Sequence, residues 1–453
     1  MDEIDQCPDE PRKTEPGACG SDMPDTPACL VYGGKTRDPL TQWRIAIILV
    51  DFSDTEKSIR SKYPTVKQIE KTFFSSTSLL SEYFTDMSHG HLTSLEGDVF
   101  GPFTHPRTLQ DLVDSGDYRS EDYSQDHLLN TGSAIQIPGF SAQDYDMIYV
   151  VSYDDYSWNP GGLTGSWNFT INDQVIKYLG TVQGLQIGPY NRSDQSAFTN
   201  NYTTPHSGTV FSPEAINTEI GLVHTGHDMT KFERTSAHEL VHAMGLGTHA
   251  NSSLGDGFPL AKPPETKSSR YEAEDYGDDF GLMGHSNFSV SMVAAYRNFL
   301  GWYDNTIKTT LASIGTHRVT LYPSSAPTGV RAVEIRLPYR VSQFYWPPVN
   351  RLNDGYFLEV RDPAYKWDSA LAHPAILENT KGVLVTFNDG LTSWLLDMSP
   401  SSYLDLTWGA TPDRRDMVLK PGMTFESPDV RIACTGMSAD GGYELEVEIL
   451  GTW

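Results

Sequence analysis

The stretch "TSAHELVHAMGLGTHAN", Thr235 to Asn251, places three histidines and a glutamate in close succession. His238 and His242 are four residues apart, Glu239 follows the first, and His249 comes after a glycine-containing turn. On an α-helix, residues four apart lie nearly above one another, so two imidazoles can face one cation from the same side. Glu239, beside the first, can reach a water on that cation. This is the physical content of H-E-x-x-H: two nitrogen ligands and a general base. Zinc lowers the pKa of a bound water toward about 7, and the glutamate takes its proton as the water attacks a polarised carbonyl. Catalytic zinc usually has three protein ligands. Gly245 can end the helix in the left-handed conformation and turn the chain back. His249 is then the candidate third ligand, with the Asp256 carboxylate as the alternative.

These residues need a frame. The spacing predicts a helix from about Thr230 to Leu246. Upstream, "WRIAIILVDF" reads as a buried strand by its continuous apolar run. Val66, Ile69, Phe73, Leu80 and Phe84 fall at helical spacing from Thr65 to Met87, closed by "SHG". His89 and His91 mark the turn from that helix to the next strand. "HLTSLEGDVF" and "YDMIYVVSY" read as strands, so the order suggests an α/β layer with a helix backing a sheet. Residues 155–230 are rich in Asn, Gly, Ser and Tyr and read as loop, with one strand in "KYLGTVQGLQI"; His224 and His227 are loop histidines. A second polar loop spans 250–280, and "SVSMVAAYRNFLGW" holds a short helix. After Asp304, "HRVTLYP", "RAVEIRLP", "YFLEVRD", "GVLVTFND" and "YELEVEIL" are short strands between turns, the pattern of a β-sandwich. The expected fold class is therefore an α/β (α+β) domain over 41–306 with a C-terminal all-β sandwich over 307–453. Residues 1–40 read as an extended, Pro-rich segment, a pro-region or an arm.

The 453 residues carry 33 Lys plus Arg against 59 Asp plus Glu, a formal charge of −26. That field repels phosphate backbones and anionic lipid, which argues against nucleic-acid or membrane-surface binding. No apolar run approaches the roughly 18–20 residues of a membrane span, and no signal peptide is visible at the start. Of the four cysteines, Cys7, Cys19 and Cys29 lie in the first segment and Cys434 near the end; three pairings are open. Sequons at Asn168, Asn191, Asn201, Asn251 and Asn287 lean weakly toward export. The acidic clusters "YDDYSWN" and "EAEDYGDD" read as solvated loops or as structural Ca²⁺ sites.

"HELVHAMGLGTHA" resembles the motif of the metzincin zinc peptidases, H-E-x-x-H-x-x-G-x-x-H followed by a Met-turn. The match runs through the glycine; Thr248 stands at the third-ligand position and His249 comes one later. "EDYGDDFGLMGHSNFS" resembles the E-Y-G-D…M-G segment of the gametolysin family, which makes Met283 the Met-turn methionine, a hydrophobic floor under the metal. "YRNFLGW" also resembles that family. His285 falls where some metzincins carry a metal-side tyrosine and is a candidate contact of site or substrate. "SLLSEYFTDMSHGHLTSLEGDVFGPF" resembles the helix-to-strand region shared by gametolysin-type and immune-inhibitor-A-type secreted peptidases. "YFLEVRDP", "KGVLVTF" and "WLLDMSP" resemble the β-rich region of the latter. "PGACGSDMPD" is faintly similar to the cysteine switch of matrix metalloproteinase propeptides, with Cys19 either latency thiol or disulfide partner.

The resemblance implies a secreted, monomeric zinc endopeptidase acting on protein or glycoprotein substrates, with one catalytic Zn²⁺ on His238, His242 and His249. Glu239 would serve as base and then acid. The rival expectations are a peptidase specialised for glycoproteins, whose sandwich holds glycans, and a non-catalytic adhesion or glycan-binding protein.

Overall fold

The structure is a computed structural model. It describes residues 42–54, 65–114, 136–141, 144–153, 161–163, 169–172, 174–176, 180–183, 231–244, 246, 249–253, 273–274, 276–278, 280–284, 290–341, 353–372, 381–388, 392–399 and 417–451. The architecture is mixed α/β, with sheets predominating. The chain forms two compact units. Of the described residues, the first takes 42–183, 231–246 and 299–302, and the second takes 249–298 and 303–451.

The first unit is organised on strand β1, Trp43–Asp51, whose residues other than Arg44 are buried. It lies between β2, Leu95–Thr104, and β3, Met147–Tyr153, and pairs with both in parallel. Residues of β1 pointing to either face of the sheet are buried, as in parallel sheets covered on both faces, which is why its sequence is an unbroken apolar run rather than an alternation. β4, Gly161–Leu163, and β7, Gly180–Gln183, complete the sheet in the order β2-β1-β3-β7-β4. β5, Phe169–Ile171, and β6, Gln174–Ile176, form a separate antiparallel pair.

The single helix expected over Thr65–Met87 is two: α1, Val66–Phe74, and α2, Leu79–Met87. The apolar spacing runs through both, but capping divides them. Thr65 and Gln68 form a reciprocal capping box at α1. Ser78 hydroxyl oxygen accepts from the Ser81 N–H at the start of α2 and donates to the Thr72 carbonyl. The run "SSTS" supplies side chains that compete with the backbone for its own hydrogen bonds, and the helix breaks there. His89, at φ 54°, and Gly90, at φ 84°, make the left-handed turn toward β2. α3, Leu109–Asp114, follows β2, and α4, Lys231–Ala243, lies against α2, β4 and β7.

The second unit opens with β8, Ala250–Ser253, and β9, Ala273–Glu274, and holds α5, Ala294–Phe299, through Asn298. Next come β10, Lys308–Leu311; β11, Gly315–Leu321; β12, Ala332–Val341; β13, Asn353–Glu359; β14, Leu384–Asn388; and β15, Ser393–Leu396. β16, Thr424–Glu426, β17, Val430–Met437, and β18, Tyr443–Ile449, close the chain. Seven strands form one sheet, β10-β12-β13-β14-β15-β8-β9, and four antiparallel strands form another, β11-β18-β17-β16. The seven-stranded sheet thus takes strands from both sides of residue 306.

The two sheets share one apolar core: Ile335, Tyr356, Leu358 and Val385 from one meet Ile432, Leu445 and Val447 from the other. In β18 the alternation holds, with Leu445, Val447 and Ile449 buried and Glu444, Glu446 and Glu448 less so. Cys434 is a free thiol buried in that core. Cys7, Cys19 and Cys29 lie outside the described residues. Among the described residues no helix is long and apolar enough to cross a membrane.

Candidate metal centre

α4 carries two faces. Ala237, Leu240, Val241 and Met244 recur at three- and four-residue spacing and are fully buried. His238 and His242 lie one turn apart beside that stripe, their ring centroids 4.9 Å apart and the rings nearly perpendicular at 76°. The Ser236 hydroxyl hydrogen-bonds to the Tyr149 hydroxyl of β3 at 3.1 Å, which ties the helix to the sheet. Burial, together with the Glu239 charge beside it, holds the Tyr149 phenol well above its ordinary range, so it stays protonated. Glu239 is itself buried, at 5% exposure.

His242 is the better defined of the two helix histidines. Its Nδ1 lies 2.5 Å from the Leu246 carbonyl oxygen. A carbonyl can only accept, so Nδ1 carries the proton and Nε2 keeps its lone pair for a metal. Burial pushes the imidazole pKa down, although the Leu246 bond opposes this, and so favours the neutral ring. Just past the helix end the Leu246 N–H reaches back to the Val241 carbonyl at 3.3 Å. The Leu246 carbonyl thereby sets the ring's tautomer. Gly245, read as the helix terminator, lies outside the described residues.

His249 stands immediately before β8, and the strand accounts for its placement. The Ala250 N–H donates to the Met283 carbonyl at 2.9 Å, and the Ala250 carbonyl accepts from the Asp278 N–H at 3.2 Å. The His249 carbonyl accepts from the Tyr296 hydroxyl at 2.5 Å, and that hydroxyl in turn receives the Ser393 N–H at 3.2 Å. The imidazole stacks on the Tyr276 ring, centroids 3.6 Å apart and planes 25° from parallel.

Tyr276 holds this position with φ 63°. For an L-residue that conformation costs roughly 1–2 kcal/mol, and here the Tyr276 N–H is held by the Asn251 side-chain oxygen at 2.9 Å. Met283 is fully buried. Gly284, next to it, fits against backbone: a Cβ there would lie 1.7 Å from the Asp278 carbonyl oxygen.

The three histidines are brought together. One ligand atom from each of His238, His242 and His249 lies within 4.8 Å of the others, so the triad can hold a metal ion. Three imidazole nitrogens, one with its tautomer fixed for ligation, are a donor set suited to a first-row divalent cation. Among the described residues this is the group of His, Cys, Asp or Glu side chains close enough to share a cation. Asp256 and His285 lie outside the described residues, as do His224, His227 and the sequons at Asn168, Asn191, Asn201 and Asn287. Asn251 is in β8, 7% exposed, with its amide engaged by Tyr276. Within the acidic segment "EAEDYGDD", Asp278 is buried, accepts from the Phe280 N–H at 2.8 Å and feels the Arg361 charge, so it serves the fold rather than a solvated loop.

Sequence reasoning missed Leu246, Tyr276 and Tyr296. The tyrosine of "EDYGDD" was visible as part of a motif, but no spacing rule points its ring at a histidine 27 positions earlier. No protein-family model matches the chain, and no curated protein matches it.

Proposed function

We propose that this chain is a secreted zinc endopeptidase of metzincin type that hydrolyses peptide bonds in protein or glycoprotein substrates. The observation that carries the reading is the convergence of the His238, His242 and His249 ligand atoms, with a buried glutamate next to the first of them in the helix. His238, His242 and His249 would hold the ion. Zinc in that setting supplies a Lewis acid that polarises the scissile carbonyl and makes water a better nucleophile near neutral pH. Glu239 takes the proton of the attacking water and delivers it to the departing amine, a base-then-acid cycle that a carboxylate at this position can perform. The burial of Glu239 fits a base that works in a site withdrawn from bulk water. Met283, inside the loop joined to Ala250, fits the supporting role that the family resemblance gives it.

The test is proteolysis of casein by purified protein, with metal content measured in parallel. Glu239→Ala is expected to lower turnover by about 10²–10⁴-fold, the range for loss of a general base, with zinc retained. His242→Ala and His249→Ala are expected to lose both zinc and activity, and a chelator to abolish parental activity until zinc is restored. Parental turnover in Glu239→Ala would overturn the mechanism.

A further inference from the structure

The geometry points to Tyr276 as a positioning residue that sets the imidazole of His249 for metal binding. The inference rests on the zinc reading above and deepens it by naming what fixes the third ligand. The sequence raises the need for such a device, since His249 stands one residue later than the family pattern places its third histidine. Main-chain pairing secures the backbone: Ala250 bonds both Met283 and Asp278, and Tyr296 holds the His249 carbonyl. None of those bonds determines how the imidazole rotates about its own side-chain torsions. The Tyr276 ring does, by lying face to face with the imidazole at a centroid separation of 3.6 Å.

Two further features show that the ring is held there. Tyr276 occupies a left-handed backbone that few side chains other than glycine tolerate. Such strain persists only where the surroundings over-determine it, and it clusters at functional sites. The over-determination is visible: Asn251, two residues past His249, accepts the Tyr276 N–H. One short strand thus presents the ligand and anchors the residue that stacks on it. The phenol hydroxyl takes no part in this argument; only the flat ring is required.

The experiment uses the full-length protein and its Tyr276→Phe, Tyr276→Leu and Tyr276→Gly variants. Phenylalanine keeps the flat ring. Leucine removes it. Glycine removes it too but suits the left-handed backbone, so the loop keeps its path and a folding defect is avoided. Each protein is titrated with Co²⁺, and its visible absorption band is read along with the dissociation constant. In the metal-free proteins, the His249 ring signal is followed by NMR with ¹³C-labelled histidine and assigned through His249→Ala.

Tyr276→Phe is expected to match the parent in band, affinity and ring signal. Leu and Gly are expected to weaken Co²⁺ binding by about 10–100-fold, the usual effect of losing a residue that orients a ligand, with a changed band. Both should also remove the upfield ring-current shift of His249. Parental affinity and band in the Leu and Gly variants would overturn the inference, as would a His249 signal unmoved by loss of the ring. A parent that binds no Co²⁺ while its His249 signal still responds to Tyr276 would instead bring down the zinc reading, and ligand positioning with it.

Discussion

At the scale of single residues, burial changes what a side chain is available for. Asn251 satisfies the glycosylation pattern, yet its amide is enclosed in β8 and accepts the Tyr276 N–H. The folded strand has no room for a glycan on Asn251, so the folded protein from a glycosylating host is expected to carry none there, which intact-glycopeptide mass spectrometry reads directly. His238 and His242 were legible in the sequence because ligand type and helical spacing restrict them, and His249 because a histidine follows the glycine past the helix; the structure brings the three together. Tyr276 and Tyr296 were not, because their roles come from pairings across long sequence separations. A tyrosine's contribution as a flat surface or as a hydroxyl donor leaves no periodic trace. The Leu246 carbonyl is further still from sequence reading, since any residue there presents the same group.

At the scale of elements, caps and close contacts decide where segments end. Apolar periodicity identified the first helical region correctly but not its interruption, since the break depends on Ser78 competing for backbone partners. Ser78→Ala is expected to cost about 1 kcal/mol, measured as a lower midpoint in chemical denaturation. The loop from Tyr276 to Gly284 is more demanding. A methyl group at Gly284 would overlap the Asp278 carbonyl, so Gly284→Ala must open the loop that pairs with Ala250. The expected outcome is weaker zinc retention on dialysis with little change in secondary structure by circular dichroism.

Strands of the sandwich were legible where they alternate, as in β18, and also where buried residues run together, as in β14. β8 was not, because "ANSS" has no apolar signal; its place comes from pairing with β15 and β9.

At the scale of the whole chain, the acidic excess coexists with buried charge in the second unit. Arg297 and Arg361 meet Glu359 at 3.2 and 3.5 Å, and Arg361 lies 3.8 Å from Asp368, with all four side chains withdrawn from solvent. Glu359 also accepts the Ala294 N–H at the start of α5, and Asp368 the Ser291 N–H. Removing one partner strands the rest, so Arg361→Met is expected to destabilise the fold by about 3–5 kcal/mol, read from denaturant unfolding.

A second group is sensitive to acid. Burial pushes Glu334 up, but hydrogen bonds from Arg336 and Lys308 and the charges of both outweigh it, so its carboxyl titrates below the ordinary range. A depressed carboxylate contributes stability above its unfolded pKa and loses it as the pH falls through the folded one. Glu334→Gln is therefore expected to lower Tm near neutrality and to flatten its fall between roughly pH 5 and pH 2.

The parallel pairing of Ala250–Ser253 with Ser393–Leu396 also has a consequence in time. The strand that follows His249 acquires that neighbour, and the Tyr296 hydroxyl its Ser393 donor, only after some 140 further residues have been synthesised. A nascent chain still attached to the ribosome would hold its third histidine without these supports. On the proposed reading, the third ligand therefore gains its full support only once the seven-stranded sheet has closed on β8.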